Sequence, residues 1–270
     1  MPQKIKRKVA FLRDILSLGA GPYSKAILLR EFLRLSVGRY TGAQTKPFSC
    51  RIQINRKSAL VHFSGTMSEM HTMVDIFKNK NYEPWLVNGN DPFKRPISTL
   101  LDLGANIGLA SVYFALSYPD ISIDAYEPNP VIFPLLQKTA SQFPHMRVYE
   151  KALAAQDGTV TFNYSKHTLE SSMFPTRDSI AVDTKAATLD SAIKAIGGEV
   201  DLVKIDIEGA EFDVFKASTL LDKIQVMVGE AHTEQSGHTE EDLKTLLSGF
   251  DKLEVYNPNH DVVFGFLAWR

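Results

Sequence analysis

Hydrophobic and polar positions follow two regimes along the chain. In the first, Ile5, Val9, Leu12, Ile15 and Leu16 recur at helical spacing, and after Gly19 to Gly21 a second set follows at Ile27, Leu28, Phe32 and Leu35. Two helices broken at the Gly-Pro step are predicted. Residues 49–54 and 59–63 then alternate apolar with polar around Asn55-Arg56-Lys57, the pattern of a β-hairpin, and a short helix is expected over Met70 to Lys78. Pro84, Gly89, Pro92 and Pro96 punctuate residues 81–98 and mark the boundary between an N-terminal region (1–98) and a main domain (99–270).

Beyond that boundary, short apolar runs alternate with helical patterns. Strands are predicted at 99–103, 121–126, 147–152, 201–206, 225–230, 253–256 and 262–268, and helices around 107–117, 130–142, 188–195, 210–217 and 239–248. This rhythm predicts an α/β fold: a doubly wound, mostly parallel sheet with helices on both faces. The last two strands are separated only by Asn257-Pro258-Asn259-His260-Asp261, too short for a helical crossover, so they should close the sheet as an antiparallel hairpin.

A hydrophobic content of 44% over 270 residues supports a sizeable core, while no apolar run is long enough to span a bilayer. The basic start, Lys4 to Lys8, is followed by apolar residues broken at Arg13 and Asp14 and by no small-residue cleavage site, which argues against a secretory signal. The lone Cys50 can form no internal disulfide and fits a reducing, cytoplasmic setting. A net charge of −1 conceals an asymmetry: residues 1–40 hold nine basic and two acidic residues, the remainder 21 and 29. Such an arm suits peripheral contact with a membrane, a phosphorylated substrate or nucleic acid; it equally suits helices packed on their own domain or on a second copy.

Candidate chemistry begins at Leu101-Asp102-Leu103-Gly104-Ala105-Asn106-Ile107-Gly108, an apolar strand ending in a Gly-rich turn. A dinucleotide site would carry its middle glycine where Asn106 stands, and Asp102 is a poor neighbour for a pyrophosphate but a good one for a cationic ligand. Glu127, at the end of the next apolar run, can accept hydrogen bonds from both hydroxyls of a ribose. A nucleoside bearing positive charge fits this pair.

The order of motifs then brings a family into view. The chain resembles the FkbM family of class I S-adenosylmethionine-dependent methyltransferases over residues 99–232, through the turn above, Tyr126-Glu127-Pro128-Asn129-Pro130, Lys151-Ala152-Leu153, Thr188-Leu189-Asp190, Lys204-Ile205-Asp206-Ile207-Glu208-Gly209-Ala210-Glu211 and Gly229-Glu230-Ala231-His232. The resemblance implies a Rossmann-like seven-stranded sheet, S-adenosylmethionine as cofactor, and methylation of a hydroxyl, on a glycan or secondary metabolite. It also implies that Asp102, Gly104, Asn106 and Gly108 line the methionine part of the cofactor, Glu127 its ribose, and Ala152 and Leu153 its adenine.

Methyl transfer is an in-line displacement that needs alignment and removal of the hydroxyl proton. Asp206, at the carboxyl end of its strand, is the candidate to orient the acceptor hydroxyl or the cofactor amine, with Glu208 in support. A structural alternative is that Asp206 and Glu211 only cap the following helix. His232 can serve as general base, metal ligand or hydrogen-bonded core residue. Asp206, Glu208, Glu230 and His232 can together hold Mg²⁺ or Mn²⁺, but no spacing demands a divalent metal. Ser171 and Ser172 resemble a serine pair of the family and are expected on a loop over the pocket.

Two other functions compete. A nucleic-acid methyltransferase is disfavoured because Asp206-Ile207-Glu208-Gly209 stands in place of an Asn- or Asp-Pro-Pro-aromatic tetrapeptide used for exocyclic amines, and because acids at the mouth repel phosphates. A binding protein that keeps the fold without turnover is disfavoured by the intact Asp102, Glu127 and Asp206.

Overall fold

A computed structural model describes residues 3–41, 45–83, 85, 92–93, 96–165, 171–172, 179–233, 237–256 and 263–270. The N-terminal region forms α1 (Gln3–Leu18), α2 (Gly21–Thr41), the hairpin β1 (Phe48–Ile54) and β2 (Lys57–Phe63), and α3 (Met67–Val74). Asn55 and Arg56, both at positive φ, make the tight turn between the hairpin strands. The expected helix over Met70 to Lys78 starts earlier because Thr66 and Glu69 close a capping box, and it relaxes into a π-helical turn over Asp75–Asn79 that ends at Lys80 (φ 61°).

The main sheet comprises β3 (Thr99–Leu103), β4 (Ser122–Tyr126), β5 (Met146–Tyr149), β10 (Val200–Ile205), β11 (Ile224–His232), β12 (Lys252–Tyr256) and β13 (Val263–Trp269). Its order is β12-β13-β11-β10-β3-β4-β5, and β13 runs antiparallel to both neighbours. The predicted seven strands and closing hairpin are present. The loop 257–262 lies outside the described residues. β3 and β10 are buried on both faces, as two-sided helical cover requires.

Five helices complete the wrap: α4 (Leu109–Ser117), α5 (Phe133–Ala140), α6 (Leu189–Ile196), α7 (Glu211–Ala217) and α8 (Glu240–Leu246). The helix expected from residue 107 begins at Leu109, since Gly108 sits at φ 88° and breaks helical geometry there. α4 is buried nearly throughout because it is covered twice. Its sheet-side neighbours include Leu100, while Ile52, Val61 and Phe63 of the N-terminal hairpin join Val112 and Phe114 in one core. Gln142 ties the layers by exchanging hydrogen bonds with the Leu60 backbone at 2.8 and 2.7 Å. Each such large apolar side chain withdrawn from water contributes roughly 1.5–3 kcal/mol.

One prediction fails at the sheet edge. The strand expected at 147–152 divides: β5 ends at Tyr149, and β6 (Ala152–Leu153) leaves to pair with β9 (Ser179–Ala187). A separate four-stranded sheet results, ordered β6-β9-β7-β8, with β7 (Gly158–Ser165) antiparallel to β9. Ser171 and Ser172 form β8 against Tyr164 and Asn163, a strand pair rather than a loop. No helix of the described residues is long and apolar enough to cross a membrane.

Candidate functional site

Strand register builds the site. Leu103 is level with Tyr126 on one side and Ile205 on the other, so Gly104, Glu127 and Asp206 emerge together at the carboxyl edge where the winding reverses. The N–H groups of Gly104 and Ala105 both donate to the Tyr126 carbonyl, at 3.0 and 2.9 Å. Gly104 sits at φ 80°, and a Cβ there would lie 1.8 Å from the Asp206 carbonyl oxygen. Its glycine is therefore demanded by the neighbouring strand rather than by a ligand.

The turn then aims at Glu127. Asn106, left-handed at φ 52°, donates its backbone N–H to Glu127 Oε2, and the Asn129 N–H donates to Oε1, both at 2.8 Å. Burial pushes the Glu127 carboxyl up to about 7, against the lowering pull of these two bonds. Each oxygen keeps acceptor capacity for a further donor. The adjoining pocket wall carries Tyr126, Ile132, Ala152, Leu153 and Phe162, an apolar slot beside a carboxylate.

Asp102 lies behind this surface, fully buried, and does not line the pocket. Its Oδ2 accepts from Ser111 Oγ at 2.6 Å, and its Oδ1 is 3.3 Å from Lys204 Nζ. Lys204 in turn donates to the Gly104 carbonyl at 2.7 Å. Burial alone would lower the Lys204 pKa, but Asp102, Asp206 and Glu127 together raise it, so the ammonium stays charged. Asp102 thus acts on the turn through Lys204. Gly108, also absent from the lining, fits closely against α5, where a Cβ would meet Leu136 at 2.8 Å.

Asp206, Glu208, Glu211 and His232 come together after β10 and β11. Glu211 is fully buried, accepts the N–H groups of Ile207 and Gly209 at 3.0 Å, and bonds His232 Nδ1 at 3.0 Å. Glu211 thus braces the turn before α7 rather than capping the helix, whose N-cap position, Ala210, has no side-chain cap. His232 Nε2 points to Glu208 Oε2 at 3.4 Å and Asp206 Oδ1 at 4.0 Å. Burial would depress His232, yet the Glu211 bond and the charges of Glu211, Asp206 and Glu208 push it up to about 10. Glu208 rises to about 8 and Glu230 to about 7, each through burial first and the charge of Asp206 second. Ligand atoms of Asp206, Glu208 and His232 lie within 4.8 Å of one another, an oxygen and nitrogen donor set of the kind divalent cations take.

Of the candidates, Gly104, Asn106, Glu127, Ala152, Asp206 and Glu208 line one pocket, with His232 at hand behind Asp206 and Glu208. Sequence reasoning missed the N-terminal wall. Ser64, Thr66, Glu69, Thr72 and Tyr82 reach the same cavity, and Tyr82 donates to Asp206 Oδ2 at 3.1 Å. Thr66-Met67-Ser68-Glu69 carries a readable capping signature, but Tyr82 sits in a stretch without periodicity.

The sequence model of the family described as Methyltransferase FkbM domain matches residues 102–255. The chain belongs to the FkbM methyltransferase family. It is 26% identical over 152 residues to Methyltransferase sdnD of Sordaria araneosa, covering 43% of this chain and 59% of that protein. Methyltransferase 1 of Beauveria bassiana is 24% identical over 146 residues, covering 44% and 57%. The matched part therefore spans less than two thirds of either relative. Among solved structures, precorrin-6y C5,15-methyltransferase of Geobacter metallireducens matches with TM-score 0.41 at 16% identity, covering 66% of this chain and 84% of that one. The N-terminal domain of human METTL16 in complex with SAH matches with TM-score 0.39 at 14%, covering 70% and 68%.

Proposed function

We infer that the protein is an S-adenosylmethionine-dependent methyltransferase acting on a hydroxyl of a glycan or secondary metabolite. The observation that carries this reading is the placement of Glu127 and Asp206 in one pocket. The residues fit the cofactor: the buried Glu127 carboxylate retains acceptor positions for ribose hydroxyls, the slot at Ala152, Leu153 and Phe162 suits adenine, and Asn106 with Gly104 edges the methionine end. Bound there, the cofactor supplies an electrophilic methyl on a sulfonium.

The chain does the rest by position and charge. Asp206, steadied by Tyr82, accepts the hydrogen bond of the acceptor hydroxyl and fixes its lone pair toward the cofactor. The chain's own part in the transfer is to receive the hydroxyl proton, and Asp206 stands where it can take it. His232 carries its proton at neutral pH, so its part is that of a cation facing Asp206 and Glu208 rather than that of the base. The N-terminal wall supplies acceptor selectivity, since Ser64, Thr66, Glu69, Thr72 and Tyr82 line the same cavity.

Transfer of labelled methyl from S-adenosylmethionine to a panel of sugar and polyketide hydroxyls tests this. Wild-type protein should label an acceptor in alkali-stable ether linkage, with D206A slower by about 100-fold or more. Label on nitrogen or nucleic acid instead, or equal rates for D206A, contradicts it.

A further inference from the structure

Six of the seven large apolar side chains left exposed among the described residues lie on α1 and α2: Ile5, Val9, Tyr23, Leu29, Leu33 and Val37. At about 100° per residue, Leu29, Leu33, Val37 and Tyr23 fall within an arc of about 120°, roughly opposite the face that buries Leu28 and Phe32. α2 is thus apolar on two faces, one in the core and one toward solvent. On α1, Ile5 and Val9 continue the row of Leu12 and Leu16 into a stretch where residues 5–9 are all exposed.

Charge decides what this surface suits. The same two helices carry Lys6, Arg7, Lys8, Arg13, Lys25 and Arg30, all exposed, while of the two acids in residues 1–40 Glu31 is buried and bonded to Arg30 and Arg34, and Asp14 is paired with Arg13. We propose that α1 and α2 form a peripheral docking surface for an anionic lipid bilayer, with the exposed stripe entering the interface and the basic side chains meeting headgroups. A second copy would bring two strongly basic faces together, and a nucleic-acid backbone offers nothing to the aliphatic side chains. Apolar insertion and basic attraction are the two signals that stable peripheral attachment needs. The helices lie on the membrane, since neither is long and apolar enough to cross it.

Co-sedimentation of the full chain with vesicles tests this independently of methyl transfer. Binding to phosphatidylcholine vesicles containing about 30 mol% phosphatidylserine should exceed binding to pure phosphatidylcholine by about tenfold or more and weaken at about 0.5 M salt. L33E/V37E and K6E/R7E/K8E should each lower that binding by about tenfold or more, with S-adenosylhomocysteine affinity within about twofold of wild type. Y23W provides a gain-of-signal measurement that does not depend on the glutamate variants folding: its emission should shift to the blue on the anionic vesicles alone. Absence of binding or shift, undiminished binding by both variants, capture of duplex RNA but not vesicles, or a dimer dispersed by L33E/V37E without vesicle binding would each overturn the proposal.

Discussion

At the scale of single residues, Glu127 ties folding chemistry to ligand chemistry. Because burial holds its carboxyl near 7, above its ordinary value, the group favours the folded state most in acid, and that contribution is lost as pH rises through about 7. Ribose hydroxyls favour the ionised form, so affinity has the opposite sign: S-adenosylhomocysteine should bind more weakly as pH falls from 8 to about 6, and binding near pH 7 should release a proton, which calorimetry in buffers of different ionisation enthalpy reads directly. Lys204→Met leaves Asp102 fully buried beside no cation and should cost about 3–5 kcal/mol in urea unfolding. Gly104→Ala should cost about 3 kcal/mol or more, seen as a large fall in melting temperature, since its methyl meets the Asp206 carbonyl. The glycine was legible in the sequence as a turn. Its true neighbour was not, because the contact joins strands about a hundred residues apart.

At the scale of elements, the periodic parts of the sequence were readable and the junctions were not. The seven strands of the main sheet follow from alternating apolar runs, and the closing hairpin from a five-residue link. β9 was not legible because Ile180 to Lys185 alternate between half-buried and exposed, with only Ile180 to Val182 forming a short apolar run. The departure of β6 from the sheet was hidden as well, since Lys151 separates two runs that read as one strand. α3 shows the reverse, a start written plainly as a capping box. Thr66→Ala removes the side-chain acceptor for the Glu69 N–H and should destabilise the protein by about 1 kcal/mol in a thermal melt, while Thr66→Ser should keep most of that stability.

At the scale of the whole molecule, two regions read as separate from the sequence share a single pocket. The acidic turn after β10, the carboxylate after β4 and the Gly-rich turn after β3 could be found because each lies at the end of an apolar run. Tyr82 and the capped start of α3 could not be placed beside them, since their approach depends on the hairpin covering α4. Asp102, expected to line the cofactor pocket, is fully buried behind its wall and meets the Gly-rich turn through Lys204. This edge of the sheet should bind S-adenosylmethionine with Glu127 on the ribose, and calorimetric titration of the cofactor into wild type and E127A decides whether it does. Wild type should bind one equivalent, and E127A should bind at least about 30-fold more weakly. No binding by wild type, or equal affinity in the two proteins, would rule out that role for Glu127.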